Sequence, residues 1–239
     1  MDLHGQRVVV LGGTSGIGLA TAKAAARHGA EVIVVSRQPA SIDRTLAELP
    51  PDARGRAADL TDPALACPLF DDLGDIDHVV FTAGEPLALT DMAALNLDKA
   101  REFFALRYFG ALWAVHAAMP HLNPGGSITL TSGTASRRPG PGWAVAASIC
   151  GAVESLTRAL AVELAPIRVN AVRPGVVQSP LWASMAPASR EQLYRDTAAG
   201  IPAGRVGETD DIARAYLYCL TQPIATGSIL TVDGGTVLA

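Results

Sequence analysis

The sequence predicts an α/β fold: a single doubly wound domain over residues 1–239, with a seven-stranded parallel sheet and helices on both faces. Apolar runs of strand length alternate with longer stretches of helical spacing along the whole chain. That alternation marks βαβ units and a sheet buried on both sides. Hydrophobic residues make up 49% of the 239 residues and charged residues 18%, which supports a sizeable core and excludes wholesale disorder. No repeat, low-complexity tract or linker divides the chain, and one α/β domain of about this size is ordinary.

Arg7–Leu11 is the first expected strand, followed by an Ala-rich helix over Gly16–His28 that stops before Gly29, a natural C′ residue. Glu31–Val35 is the second strand. Ile42–Leu49 is a short helix halted by Pro50-Pro51. Arg56–Ala58 is a brief third strand. Pro63–Leu73 is a helix with Asp62 as N-cap and Pro63 in its first position. His78–Phe81 is the fourth strand, and Leu97–His121 is a long helical region carrying Phe103, Phe104, Phe109 and Trp113. Ser127–Leu130 is the fifth strand, and Trp143–Leu164 a helix ending near Pro166. Arg168–Val172 is the sixth strand. Leu181–Ala199 is helical but broken by Pro187, Asp210–Leu220 is the last helix, and Ser228–Val232 the last strand.

Composition narrows the partners. The formal charge is −4, and Arg137-Arg138 is the only adjacent basic pair. Nucleic acid is therefore not an expected partner. Cys67, Cys150 and Cys219 are odd in number and fit no metal or redox spacing. Reduced thiols in a cytoplasmic protein are the expectation, with no bound metal. The apolar run Val8–Leu11 is too short for a signal-peptide core, and no 18-residue apolar stretch follows. A soluble, unanchored chain is expected.

The first strand runs straight into Gly12-Gly13-Thr14-Ser15-Gly16-Ile17-Gly18, and a helix follows. Glycines let the backbone turn tightly and approach a pyrophosphate, which the free N–H groups of the helix N-terminus then hold. A carboxylate at the end of the second strand selects NAD, whereas a cation there accepts a 2′-phosphate. This chain has Ser36-Arg37 at that end, and Glu31 lies too far back, at the strand's start. NADP(H) is the expected cofactor.

With these residues in place, the chain resembles the short-chain dehydrogenase/reductase family over essentially its full length. Gly12–Gly18 match the family's glycine pattern, although Leu11 stands where Thr is usual. Asp59-Leu60-Thr61-Asp62 matches the acidic motif that contacts the adenine side. Thr82-Ala83-Gly84 stands for the Asn-Asn-Ala-Gly turn with both asparagines lost. Arg168–Gly175 matches the strand-six motif flanking the nicotinamide, which carries Pro174, Gly175 and Val177 into the cofactor set. Thr226-Gly227 and Val232–Gly235 match the C-terminal signature. The resemblance implies a Rossmann-type fold, a small-molecule substrate, a substrate lid over about 180–200, and a homodimer or homotetramer packed through two long helices.

The catalytic positions depart from the family, which uses Asn, Ser and Tyr with Lys four residues later. The resemblance puts these on Arg107, Gly133, Ala146 and Cys150. No tyrosine lies between Tyr108 and Tyr194, and the two lysines, Lys23 and Lys99, both precede this helix. A Tyr-x-x-x-Lys motif is therefore absent from it.

Three residues are candidates for replacement chemistry. Arg107 either holds a substrate carboxylate, stabilises an enolate or takes part of the lysine's role, or it forms an internal ion pair with Glu85 or another acid. It is a poor proton donor, with an ordinary pKa above 12. Ser132 either reaches the substrate or caps backbone. Glu85 is an acid/base candidate or a surface carboxylate. Cys150 reads as a small buried hydrophobe. Trp143 walls the pocket or belongs to the core or a subunit interface. Three functions follow: an NADP(H)-dependent reductase of a small carbonyl, enone or imine with a non-standard site; a dinucleotide binder without turnover; or a lyase or isomerase reusing the pocket.

Overall fold

The pleat of the first strand sorts the core into two halves. In the computed structural model, which describes residues 2–87 and 89–239, strand β1 (Arg7–Leu11) turns Val8 and Val10 to one face and Val9 and Leu11 to the other. The remaining strands are β2 (Glu31–Ser36), β3 (Arg54–Ala57), β4 (Ile76–Phe81), β5 (Leu122–Thr131), β6 (Arg168–Pro174), β7 (Val177–Gln178), β8 (Gly207–Glu208) and β9 (Ile229–Val232). The helices are α1 (Gly16–Arg27), α2 (Pro39–Leu46), α3 (Pro63–Leu73), α4 (Leu97–Phe104), α5 (Ala111–Ala118), α6 (Ala144–Glu163), α7 (Pro187–Gly200) and α8 (Thr209–Thr221).

Seven strands form one parallel sheet in the order β3-β2-β1-β4-β5-β6-β9. Val8 and Val10 pack with Ala20, Ala24, Ile212 and Tyr216 beneath α1 and α8. Val9 and Leu11 pack with Phe70, Val115, Ile149 and Val153 beneath α3, α5 and α6. Burial on both faces is why these strands read as continuous apolar runs. By length and composition α6 could cross a membrane. Here Ile149, Val153 and Leu160 anchor it in the core beside the sheet.

Several boundaries move. Helix α2 starts at Pro39, where the missing N–H costs nothing, and ends at Leu46 rather than running from Ile42 to Leu49. Strand β3 occupies Arg54–Ala57 because pairing begins at Ile33↔Arg54. Strand β5 begins five residues early, across a bulge opposite Ile76/His78. Pro187 starts α7 instead of breaking a helix. The long region over Leu97–His121 is not one α-helix. It comprises α4, a single π-helical turn over Ala105–Gly110, α5, and a 3₁₀ turn. The small parallel pair β7–β8 has no counterpart in the sequence expectations.

The chain order reverses between β1 and β4, so the crevice beyond their C-terminal ends is the switch point where doubly wound sheets bind ligands.

Candidate active site

Close backbone approach builds the switch-point crevice. Gly12 has φ +86°, and a Cβ there would lie 2.5 Å from the Ala83 nitrogen. The glycine loop and the Thr82–Gly84 turn therefore pack main chain against main chain, pinned by Thr82 Oγ1 donating to the Leu11 carbonyl at 3.0 Å. A Cβ on Gly18 would meet the Gly12 carbonyl oxygen at 2.2 Å, so α1 starts flush against the loop.

Helix α1 begins without a side-chain cap, and its N-cap Ser15 makes no capping bond. Helices α2, α6 and α7 also start uncapped, whereas Asp62 caps α3, Asn96 caps α4, and Glu208 with Asp211 forms a capping box on α8. What sets α1 apart is its place at the switch point behind the glycine loop. The free N–H groups and positive end of α1 are a donor set suited to an anion such as a pyrophosphate. Thr14, Ser15, Gly16 and Ile17 lie along it, none fully buried. Arg37 is exposed just past β2, next to the half-buried Ser36. It lies near enough to Asp59 to help lower that carboxyl's pKa, after two hydrogen bonds from Thr61, which burial opposes. Glu31, at the far end of β2, is taken up by Arg7 and Arg54. Leu60 turns its carbonyl to Gly110, where a Cβ would come within 2.7 Å. Gly175 packs against Asp233, and Val177 is buried in the β7–β8 pair following Pro174.

A cleft of about 80 Å³ opens between α4 and the start of α6. Lys99, Phe103 and Arg107, spaced four residues apart, form one wall. Val145, Ala146 and Ile149 form the other. Ala146, the position the resemblance gives to the tyrosine, thus lines this cleft. Among the described residues lining it there is no carboxylic acid, imidazole, thiol or phenol.

Arg107 lies on the π-helical turn, a feature that recurs at functional sites. Its guanidinium rests on Gly84, where a Cβ would come within 2.7 Å of Cζ. Arg107 Nη2 donates to the Glu85 carbonyl oxygen, and Nε faces Glu85 Oε2 at 3.5 Å. Both of those facing atoms are buried without a hydrogen bond. The guanidinium also lies over the Phe103 ring, 5.8 Å from its centroid. Burial pulls its pKa below the ordinary value while Glu85 and Cys150 oppose the shift. The structure therefore brings Arg107 and Glu85 together.

Ser132 does not join the cleft, which corrects the expectation that it reaches substrate. It is buried, and its hydroxyl donates to Glu154 Oε1 at 2.9 Å and to the Cys150 carbonyl at 3.3 Å. Glu154 also accepts from Ser136 Oγ and, bidentately, from Arg173 Nε and Nη2 at 2.8 and 2.6 Å. Burial raises the Glu154 pKa, but these hydrogen bonds outweigh it and the net shift is downward. The Ser132 oxygen is committed to that network because strand β5 ends with its side chain turned to α6. Burial pushes the Cys150 thiol up to about 11, so it stays protonated at neutral pH and is no nucleophile.

Sequence reasoning missed Lys99 and Phe103 as cleft residues, and Glu154 with Arg173. The spacing Lys99–Phe103–Arg107 was the available signal for the first pair. For the second, it was a charge set among apolar neighbours in each element: Glu154, one of two acids in α6, and Arg173, one of two cations in β6. Trp143 stacks edge-on with Trp182, ring centroids 6.2 Å apart, and Trp182 Nε1 donates to the Val177 carbonyl at 3.0 Å. Along the region Leu97–His121, Phe104 and Tyr108 pack on the core, while Phe109 is half exposed.

A parallel sheet with an uncapped, glycine-opened helix at its switch point defines a Rossmann-type α/β protein. Residues 2–239 match the description of an SDR-like Rossmann domain. The chain is 33% identical to the short-chain dehydrogenase/reductase malC of Malbranchea aurantiaca, over 99% of this chain and 96% of malC. It superposes on a small-chain dehydrogenase in complex with NADPH with TM-score 0.88 and 36% identity, covering 98% and 99% of the two chains. It also superposes on the MalC reductase/Diels-Alderase with TM-score 0.90 and 30% identity, covering 99% and 98%. The chain belongs to the short-chain dehydrogenase/reductase family, whose named relatives are oxidoreductases acting on small molecules.

Proposed function

We propose that this chain is an NADP(H)-dependent oxidoreductase with a non-standard active site, reducing a small carbonyl, enone or imine. The observation that carries the proposal is the Arg107 guanidinium laid on Gly84 at the base of a cleft walled by Ala146. The uncapped α1, the loop Gly12–Gly18 and Arg37 fit a dinucleotide carrying a 2′-phosphate. Ser36, Asp59, Leu60, Ala83, Gly84, Pro174, Gly175 and Val177 would complete that site. The relative solved with NADPH supports the same choice.

Reduced nicotinamide supplies a hydride when bound. Arg107 would hold negative charge that develops on an oxygen, with Glu85 fixing its orientation. Among the described residues lining the cleft the ordinary proton donor is the Lys99 ammonium, two helical turns from Arg107, so a proton at the Arg107 end would come from solvent or from the substrate. An enone asks least of such a site, because its enolate needs a cation rather than an immediate proton. Relative to the family pattern, Arg107 replaces Tyr–Lys chemistry with charge stabilisation.

Residues 180–200 would act as lid, in one domain with the rest. Trp182 anchors its base, α7 buries no residue, and Ser184 Oγ donates to the carbonyl of Leu87, which lines the cleft. Half-exposed Phe109 and Trp113 support a homodimer or homotetramer packed through this face. Light scattering tests that, and a monomer would end it. The free thiols of Cys67, Cys150 and Cys219 suit the cytoplasm.

Titration with NADPH and NADH, followed by nicotinamide fluorescence, is the direct test. NADPH should bind with enhanced, blue-shifted emission, and Arg37→Asp should lower the NADPH/NADH affinity ratio roughly 10-fold or more. Binding of neither cofactor removes both the redox assignment and the dinucleotide-binder reading, and leaves a scaffold or a cofactor-free pocket.

A second reading draws on one relative. The MalC structure is titled a reductase/Diels-Alderase, and a cation between apolar walls suits a reaction needing no proton donor. Product formation from substrate without cofactor would favour that non-redox use of the pocket.

A further inference from the structure

The described residues lining the cleft carry two positive charges, Lys99 and Arg107, and no negative one; the Asp91 carboxylate stands beside the lining residue Gly142 but is not itself part of the lining. Glu85 pairs with Arg107 from behind, against Gly84, and is not itself a lining residue. We infer that the cleft takes an anionic substrate, a flat apolar molecule bearing a carboxylate, with Lys99 as the residue that anchors that carboxylate. The inference rests on the proposal that this cleft is the substrate side of an oxidoreductase.

Geometry separates the two cations by role. Lys99, Phe103 and Arg107 lie four residues apart on one helical stripe, so Lys99 and Arg107 stand about 12 Å apart along the axis. Arg107 is mostly buried, held by Glu85 and stacked over Phe103. Lys99 is exposed, and its ammonium makes no ion pair or hydrogen bond among the described residues. The Phe103 ring between them faces Val145, Ala146 and Ile149 across the gap. A planar apolar body fits between these walls, its carboxylate at the Lys99 end and its reacting end toward Arg107. The same charges repel a cation, so a preformed iminium is the poorest match among the substrates considered above. Because Lys99 is exposed, its ion pair adds about fivefold in affinity rather than orders of magnitude.

The chain has two lysines, which makes the test clean. Lys23, paired with Glu48 on another face, is the internal control. The full-length protein is acetylated with limiting acetic anhydride, alone and with cinnamate, cinnamamide or cinnamyltrimethylammonium, and each lysine is quantified by peptide mass spectrometry. Cinnamate should slow acetylation of Lys99 and not Lys23, while cinnamamide and cinnamyltrimethylammonium, neither of which consumes the reagent, protect neither. In parallel, equilibrium dialysis reports affinity. Cinnamate should bind about fivefold tighter than cinnamamide, the preference should vanish in Lys99→Met, and it should return in Lys99→Arg. Equal affinity for acid and amide, no protection of Lys99, or a preference that survives Lys99→Met overturns the inference. The NADPH titration is read separately. Failure there with Lys99 protected sinks the redox function and leaves the anion site; NADPH binding without protection does the reverse.

Discussion

Two arginine–glutamate pairs, Arg173 with Glu154 and Arg107 with Glu85, share chemistry while differing in setting. Arg173 and Glu154 meet bidentately at 2.6 and 2.8 Å, with side chains 8% and 5% exposed. Ser132, Ser136 and Thr231 occupy their remaining hydrogen-bonding positions. Arg107 and Glu85 approach only to 3.5 Å, 22% and 33% exposed, with Nε and Oε2 unpartnered. A buried pair is tolerable only when its lone pairs and protons are all used, and then it fixes geometry. A pair left incomplete beside a cleft keeps hydrogen-bonding capacity for something else. The first holds α6 to β6; the second is available to a ligand.

The comparison breaks most readily at Glu154. Removing it strands the Arg173 charge in the core, so Glu154→Ala should cost about 3–5 kcal/mol in urea unfolding. A loss below about 1 kcal/mol would mean the network is not structural. Arg107→Ala should do the opposite. Its effect on unfolding should be smaller than that of Glu154→Ala, about 1–3 kcal/mol for leaving the Glu85 oxygen without its partner, while turnover of an accepted enone falls roughly 10²-fold through lost stabilisation of oxygen charge. Unchanged kcat would remove Arg107 from the chemistry.

Acid unfolding sharpens the contrast further. Glu154's folded pKa lies below its ordinary value, so its contribution is present above about pH 4.5 and is lost as pH falls through the folded pKa. His78, buried between Ser127 and Gln6, has its pKa lowered to about 4, mainly by burial. The unfolded chain binds that proton from about pH 6.5 downward, so stability should fall between pH 6.5 and 4. His78→Gln should flatten that interval, and Glu154→Gln the part below it. Urea midpoints across pH 3.5 to 7.5 separate the two, whereas parallel curves for wild type and His78→Gln would refute the histidine assignment. The smallest effect is the coupling energy of Glu85→Gln with Arg107→Met. In a double-mutant cycle on stability it should be about 1 kcal/mol or less and shrink with salt.

The two halves of the site were unequally legible. The cofactor side is local chemistry: the run Gly12–Gly18 between strand and helix, and Arg37 one residue after β2, are neighbours in sequence as in space. Periodicity likewise revealed the central strands of the main sheet, because a strand buried on both faces leaves a continuous apolar run; the edge strand β3, Arg-Gly-Arg-Ala with no buried residue, has no such run. The substrate side was less visible. Arg107 and Glu85 could be named as partners, but Ser132 beside Gly133 looked as close to the pocket as any residue on that strand. Which way its hydroxyl points depends on Glu154, 22 residues away.

By itself, then, the sequence determined the α/β class, the order of its elements, the anion-ready glycine loop, and the absence of Tyr-x-x-x-Lys. Each is a property of adjacent residues or of composition. Only the tertiary structure decided that Lys99, Phe103 and Arg107 face Val145, Ala146 and Ile149, that a π turn carries Arg107, and that Ser132 serves the core. Those outcomes come from packing between elements far apart in the chain, where each side chain's direction is set by its neighbour's shape and charge rather than by local propensity.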